Sequence, residues 1–220
     1  MSLVFAPAPV ATVPVAGGGS YPVHRIYCVG RNYAEHAVEM GHTGREPPFF
    51  FLKPADTVVP VPEGQTGTMA YPSLTKNLHH EIELVVAMGP GGKIFGYAVG
   101  LDMTRRDLQN EMKKQGRPWS IGKAFEQSAP IGPIVPMATT GELTTGAITL
   151  DVNGLRKQTG DLKDLIWNVA ETIEQLAAAW DLQAGDLIFT GTPAGVGAVV
   201  RGDVMEGHIA GLGTLRVEVA

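Results

Sequence analysis

The stretch His79-His80-Glu81-Ile82-Glu83-Leu84-Val85-Val86 sets two carboxylates two residues apart in a run that is otherwise largely apolar and β-branched. In an extended strand residues i and i+2 share a face, so Glu81 and Glu83 stand side by side, roughly 6–7 Å apart along the backbone. Like charges at that separation repel unless a cation lies between them. A third carboxylate, Asp102, ends the next apolar run, Gly96-Tyr97-Ala98-Val99-Gly100-Leu101-Asp102. Three hard oxygen donors with nothing soft among them select Mg2+ or Mn2+, with Ca2+ as a substitute, over zinc; three protein ligands leave about three positions of an octahedral ion for water or substrate. The plain alternative for Glu81 and Glu83 is the wet face of an edge strand.

Further residues carry chemistry around that trio. His36 and Glu39 lie at i, i+3 on a short helix expected over 33–40, where a carboxylate can orient an imidazole as a general base toward water; such pairs are also frequent on solvated helices. Lys123 is a lone cation in the apolar setting Ser120-Ile121-Gly122-Lys123-Ala124-Phe125. Three carboxylates on a divalent ion leave a net negative site, so an anionic substrate needs Lys123, or Arg106 with Gln109 from the charged segment 104–114. The alternative for Arg106 is a solvated helix face. At least one of His79 and His80 is expected to support the ligands from behind or to pack in the core. Cys28, inside an apolar strand, reads as a buried residue rather than a nucleophile. The turn 191–197 lacks the endings of both nucleotide-binding glycine loops, so its expected use is to offer Thr192 and backbone N–H groups to a carboxylate.

The elements that must hold these groups are mostly strands. Extended runs are expected at 25–29, 49–54, 79–86, 96–102, 131–137, 148–152, 186–190, 199–200, 205–209 and 215–219, with Asn153-Gly154 turning 148–152 into a hairpin with 155–158. Residues 63–72 read as loop. A helix over 104–114, capped by Thr104, is polar on most faces and is expected outside the core. A helix over 164–180 carries the inward stripe Leu165, Val169, Ile173 and Leu176. Residues 1–20 are expected to form an N-terminal extended segment and 21–220 a single catalytic domain.

Composition narrows the classes of partner. The chain has 220 residues, 44% of them hydrophobic and 18% charged, with a formal net charge of −5. No basic cluster exceeds Lys113-Lys114, which excludes a phosphate-backbone footprint and hence nucleic acid. No apolar run approaches the ~20 residues of a membrane span, and the N-terminal segment lacks the pattern of a signal peptide. One cysteine forbids an internal disulfide and fits a reducing cytoplasm.

Several segments together resemble the fumarylacetoacetate hydrolase superfamily, in its acylpyruvate hydrolase branch. They are Tyr27-Cys28-Val29-Gly30-Arg31-Asn32-Tyr33-Ala34-Glu35-His36, Phe51-Leu52-Lys53-Pro54, Asn77-Leu78-His79-His80-Glu81-Ile82-Glu83-Leu84, Leu101-Asp102-Met103-Thr104-Arg105-Arg106-Asp107 and the run from Gly185 to Gly197. The resemblance implies an α+β fold, a β-rich mixed β-sandwich roll, assembled as a homodimer. It implies Mg2+ or Mn2+ on Glu81, Glu83 and Asp102, water activation by His36 and Glu39, oxyanion stabilisation by Lys123 and Gln109, and a substrate-carboxylate contact at Thr192. The expected activity is hydrolysis of a carbon–carbon bond in a small anionic 2,4-diketo acid, an acylpyruvate such as fumarylpyruvate. Decarboxylation of oxaloacetate at the same metal site and non-catalytic dicarboxylate binding are the alternatives. One departure is the short connection Pro90-Gly91-Gly92-Lys93-Ile94, where relatives carry a longer insertion.

Overall fold

Val, Ile, Leu and Phe fill the runs that pair, and the computed structural model, which describes residues 3–33 and 45–220, is built mainly of short strands. In chain order they are β1 (Thr12–Pro14), β2 (Ser20–Pro22), β3 (Ile26–Val29), β4 (Phe50–Lys53), β5 (Val58–Pro60), β6 (Thr66–Met69), β7 (Leu78–His80), β8 (Ile82–Met88) and β9 (Ile94–Leu101). There follow β10 (Thr104–Arg105), β11 (Ala129–Ile131), β12 (Val135–Pro136), β13 (Ala147–Val152), β14 (Leu155–Asp161), β15 (Leu187–Phe189), β16 (Gly197–Val199), β17 (Val204–Ile209) and β18 (Gly213–Val219). The α-helices among the described residues are α1 (Arg106–Lys114), α2 (Ser120–Lys123), α3 (Met137–Thr140) and α4 (Val169–Ala177). None of them is long and apolar enough to cross a membrane.

A mixed sheet runs β4-β3-β15-β8-β9-β11-β5, with β12 also on β9, and a five-stranded sheet runs β14-β13-β17-β18-β6. Every residue of β8 is buried because both of its faces are covered. Ile82, Leu84, Val86 and Met88 join Ile148, Leu150, Met205 and Val217 of the five-stranded sheet in the main core. Val85 and Ala87 face the other way, toward Ile26, Cys28 and Phe189 and toward Val13 and Tyr21 of the β1–β2 hairpin. Each buried Leu or Ile there stabilises the fold by roughly 1.5–3 kcal/mol. Cys28 is fully buried, as its apolar surroundings lead one to expect. Overall this is the β-rich α+β architecture that the sequence motifs imply.

Several local expectations are corrected. The run 79–86 is not one strand. β7 ends at His80 and pairs with β10 and β16, β8 starts at Ile82 in the large sheet, and Glu81 is the joint where the chain passes between them. The loop expected at 63–72 contains β6, which pairs in parallel with the C-terminal β18; a partner 150 residues away, as in Thr66 with Arg216, leaves no trace in the local pattern. The helix expected over 164–180 begins only at Val169, because Asn168 accepts from Glu171 N while Glu171 reaches back to Asn168 N in a capping box. The run 131–137 is split into β11 and β12. Thr104 does not cap α1: it lies in β10, and its hydroxyl donates to Asp102 O at 3.0 Å. The hairpin at Asn153-Gly154 is present, with φ of 52° and 75°, the paired positive angles of a type I′ turn.

Candidate metal centre

Glu81, Glu83 and Asp102 are each buried, and their oxygens lie within 4.8 Å of one another. Three neighbouring stretches bring them together. The joint between β7 and β8 places Glu81, β8 places Glu83, and the end of β9 places Asp102, whose amide donates to Glu81 O at 2.8 Å. Glu83 sits opposite Gly100 in the β8–β9 register. There a Cβ would come within 2.5 Å of Val85 Cγ2 and 2.7 Å of Phe189 Cε1, so only glycine fits.

Cations surround two of the three carboxylates. Lys123 Nζ donates to Glu81 Oε2 at 2.7 Å, Asp102 Oδ2 at 2.5 Å and Thr104 Oγ1 at 2.7 Å. Arg106 pairs with the other oxygen of Glu81 and donates to Gln109 Oε1. Lys53 Nζ lies 2.9 Å from Asp102 Oδ1. Burial works to lower the Lys123 pKa, but Asp102 and Glu81 outweigh it and raise it above the usual lysine value, so the side chain is a fixed cation.

Glu83 is different. It accepts the Gly191 N–H at 2.7 Å, and no ion pair to it is present among the described residues. Burial first, then the charges of Asp102 and Glu81, push its carboxyl well above the usual range. Gly191 makes that bond with φ of 101°, where a Cβ would lie 2.7 Å from Asn32 Cβ. A buried carboxylate with no cationic partner among the described residues, beside two more carboxylates and with only oxygen donors, fits a hard divalent cation. Such an ion would turn a cluster of three anions and three cations into a doubly positive one, suited to a dianionic ligand.

The cavity at this centre is lined by Glu81, Glu83, Arg106, Gln109, Lys123 and Thr192, with Arg31, Phe51 and Trp119 at its wall. Seven residues singled out by type and spacing, Glu81, Glu83, Asp102, Arg106, Gln109, Lys123 and Thr192, therefore meet in one place. His36 and Glu39 lie outside the described residues. The expectation that the segment 104–114 stands clear of the core is corrected: α1 buries Arg106 and Gln109 in the centre, while Asn110, Glu111, Lys113 and Lys114 are exposed. α2 packs close enough that a Cβ on Gly122 would sit 2.9 Å from Gln109 N, which sets Lys123 against Gln109's helix.

Lys53 joins the site from outside the candidate set, although a lone lysine ending the apolar run Phe49-Phe50-Phe51-Leu52 is the same signal that marks Lys123. Both histidines beside Glu81 turn out to support the site. His80 Nδ1 lies 2.9 Å from Gln158 Oε1. His79 Nδ1 accepts from Arg106 Nε at 3.3 Å, and its Nε2 lies 3.0 Å from Asn77 Oδ1.

Protonating His79 would set an N–H against the Arg106 guanidinium. Burial, followed by the Arg106 charge, lowers its pKa from 6.5 to about 4. The unfolded chain then binds more protons than the folded one between those values, so this stabilisation is complete above pH 6.5 and is lost as pH falls through about 4. His79→Asn should flatten the rise of melting temperature with pH in that window; an unchanged slope would remove His79 as its source.

A more spacious cavity, about 880 Å3, lies elsewhere, between the Pro90–Gly92 turn and the Trp180–Ala184 segment, and Asp181 is the one ionisable residue among its described lining. It gathers no groups for chemistry.

Comparison with known proteins agrees with this geometry. The fumarylacetoacetate (FAA) hydrolase C-terminal family profile matches residues 25–220. Fumarylpyruvate hydrolase of Ralstonia sp is 46% identical over 185 residues, covering 79% of this chain and 93% of that protein. Oxaloacetate tautomerase FAHD1, mitochondrial, of Rattus norvegicus is 40% identical over 204 residues, covering 88% and 90%. A crystal structure of fumarylpyruvate hydrolase from Pseudomonas aeruginosa in complex with Mn2+ and pyruvate is 54% identical, with a TM-score of 0.97 over 100% of this chain and 99% of that one. A match this long, carried on the same fold and by a buried carboxylate trio, makes the chain a member of the fumarylacetoacetate hydrolase family.

Proposed function

We propose that this chain hydrolyses a carbon–carbon bond in a 2,4-diketo acid, an acylpyruvate with fumarylpyruvate as the leading substrate, to give pyruvate and a carboxylic acid. The observation that carries it is the buried carboxylate trio ringed by Lys53, Lys123 and Arg106, in a chain 54% identical to a relative whose structure holds Mn2+ and pyruvate. Glu81, Glu83 and Asp102 hold Mg2+ or Mn2+, and Ca2+ can take the same oxygens. When bound, the ion supplies a Lewis acid that holds an α-keto-carboxylate and offsets enolate charge.

Around it the chain's own groups divide the work. Thr192 and Arg106 bind the carboxylate of the keto acid. His36, oriented by Glu39, takes a proton from water as the water oxygen adds to the distal acyl carbonyl. Lys123 and Gln109 donate to the oxygen that becomes negative. Gln109 is suited to this because Arg106 occupies its Oε1 and leaves its Nε2 amide for a ligand. Collapse then breaks the bond between the acyl carbon and the adjacent methylene carbon. The electron pair leaves as pyruvate enolate, which takes up a proton to become pyruvate. The working unit is proposed to be a homodimer in the cytoplasm, with residues 21–220 as its catalytic domain.

The test is the ultraviolet absorbance of a panel of acylpyruvates, followed with and without Mg2+ or Mn2+. Metal-dependent loss of absorbance with release of pyruvate is expected; no turnover of any diketo acid would overturn the proposal and leave a dicarboxylate binder. A second reading is favoured by the oxaloacetate tautomerase relative: the same site acting on oxaloacetate, by tautomerisation or decarboxylation, needs the enolate but no water base. His36→Ala should abolish diketo-acid hydrolysis, and activity on oxaloacetate that survives the change belongs to that second reaction.

A further inference from the structure

Gln158 is the one buried residue in the otherwise exposed first five positions of β14, and it is 0% exposed. It pairs with Leu150 beside a register shift at Leu150/Asp151, an irregularity of the kind that re-aims a side chain. Its amide is fully used. Oε1 accepts from Ile82 N at 3.1 Å and lies 2.9 Å from His80 Nδ1; Nε2 donates to Thr192 Oγ1 and to Pro193 O, each at 2.8 Å.

The orientation of that amide is not ambiguous. Only an oxygen can face the Ile82 N–H, and only an N–H can face the Pro193 carbonyl. Nε2 must therefore donate to Thr192, whose hydroxyl oxygen becomes an acceptor on that side. The Thr192 hydrogen is left for another direction, and no acceptor among the described residues takes it. Thr192 is 4% exposed and lines the cavity with Glu83, Arg106 and Lys123.

We infer that Gln158 is a positioning residue that fixes Thr192 as a hydrogen-bond donor toward the keto-acid carboxylate. Through Ile82 N and His80 it grips the chain on both sides of Glu81. Through Thr192 and Pro193 it grips the turn whose Gly191 N–H holds Glu83. The inference rests on the proposed contact between Thr192 and the substrate carboxylate.

Pyruvate binding to the Mn2+-loaded protein, measured by calorimetry, separates the two. Thr192→Val should weaken pyruvate about tenfold or more, as expected for a lost hydrogen bond to a charged group. An unchanged affinity would sink the contact and the inference with it, while leaving diketo-acid turnover to be judged by its own assay. Gln158→Glu keeps the acceptor for Ile82 N but cannot donate to Thr192, and its carboxylate would draw the Thr192 hydrogen to itself. It should weaken pyruvate by a similar factor, and the double variant should bind no worse than Thr192→Val alone.

A Gln158→Glu penalty that persists in the Thr192→Val background would overturn the inference, because it would mean that the new charge acts directly on pyruvate. So would wild-type affinity in the single variant. Mn2+ affinity should stay within about threefold throughout, whereas a general collapse of the site would lose it. Neutron diffraction of the unaltered protein gives an answer even if Gln158→Glu does not fold: Nε2 deuterons toward Thr192 Oγ1 and a Thr192 deuteron toward the cavity are expected. A Thr192 deuteron pointing at Gln158 refutes the assignment.

Discussion

Replacing Lys123 by Met lowers kcat on a diketo acid by about 10²–10³-fold, the scale of losing one oxyanion donor, while divalent-metal affinity holds or tightens. The second half follows from geometry. Lys123 Nζ contacts Glu81 Oε2 and Asp102 Oδ2, the oxygens an arriving ion needs, so the ammonium and the metal compete for them. Removing the lysine removes the competitor. It also removes one of the three cations that neutralise the cluster, leaving Glu81 with Arg106 and Asp102 with Lys53. Breaking a buried pair costs about 3–5 kcal/mol. For a domain of this size the metal-free variant should therefore melt on the order of 10 °C lower, and Mn2+ should restore most of the loss. Turnover equal to wild type would remove Lys123 from the chemistry; metal affinity reduced tenfold would mean that the lysine holds the ligands in place rather than competing for them.

Glu83→Gln separates stability from metal binding, with opposite signs. Burial, then Asp102 and Glu81, raise the Glu83 pKa in the folded state above the ordinary value of 4.5. A raised carboxyl contributes its stabilisation below the unfolded value and loses it as pH climbs through the folded one, so ionised Glu83 weakens the metal-free fold. Glutamine carries no charge to bury and can keep the Gly191 N–H bond. The metal-free variant should melt higher than wild type at neutral pH, with a smaller fall in stability between mildly acidic and alkaline buffer. Its metal response should vanish. Wild type at an ion concentration of ~100 Kd gains about 2.7 kcal/mol by mass action, and the variant, with one hard anion fewer, should gain little. Differential scanning fluorimetry with and without Mn2+ reads both effects, and a variant that binds Mn2+ as tightly as wild type would take Glu83 out of the ligand set.

Local pattern carried the chemistry further than it carried the architecture. Glu81, Glu83 and Asp102 were legible because carboxylates are conspicuous in β-branched apolar runs, and Lys123 because a lone cation in an apolar stretch needs a partner. Periodicity also found most of β8, β9 and the stripe Val169, Ile173 and Leu176 of α4, though Leu165 precedes that helix, and the Asn153-Gly154 pair gave the type I′ hairpin. It overextended α4 because the capping box of Asn168 and Glu171 overrides an apolar pattern that continues upstream. It missed β6 because four residues with two threonines and a glycine become a strand only beside β18. Thr104 looked like a helix cap by type, yet strand pairing with His79 turned its hydroxyl to Asp102 and Lys123 instead. His36 and Glu39 lie outside the described residues, and their proposed role rests on the sequence motif.

The sequence by itself determined which groups could act: three hard anions, the cations and amides near them, and a glycine turn able to meet a carboxylate. Tertiary structure alone decided how their charges are balanced. Strand order brings Lys53 of β4 to Asp102, α2 brings Lys123 between two ligands, and β14 brings Gln158 to both Ile82 and Thr192. Among the described residues it also left Glu83 without a cation. Residue types and their spacing are local properties, whereas the partner that neutralises a buried charge is set by which distant strands share an edge.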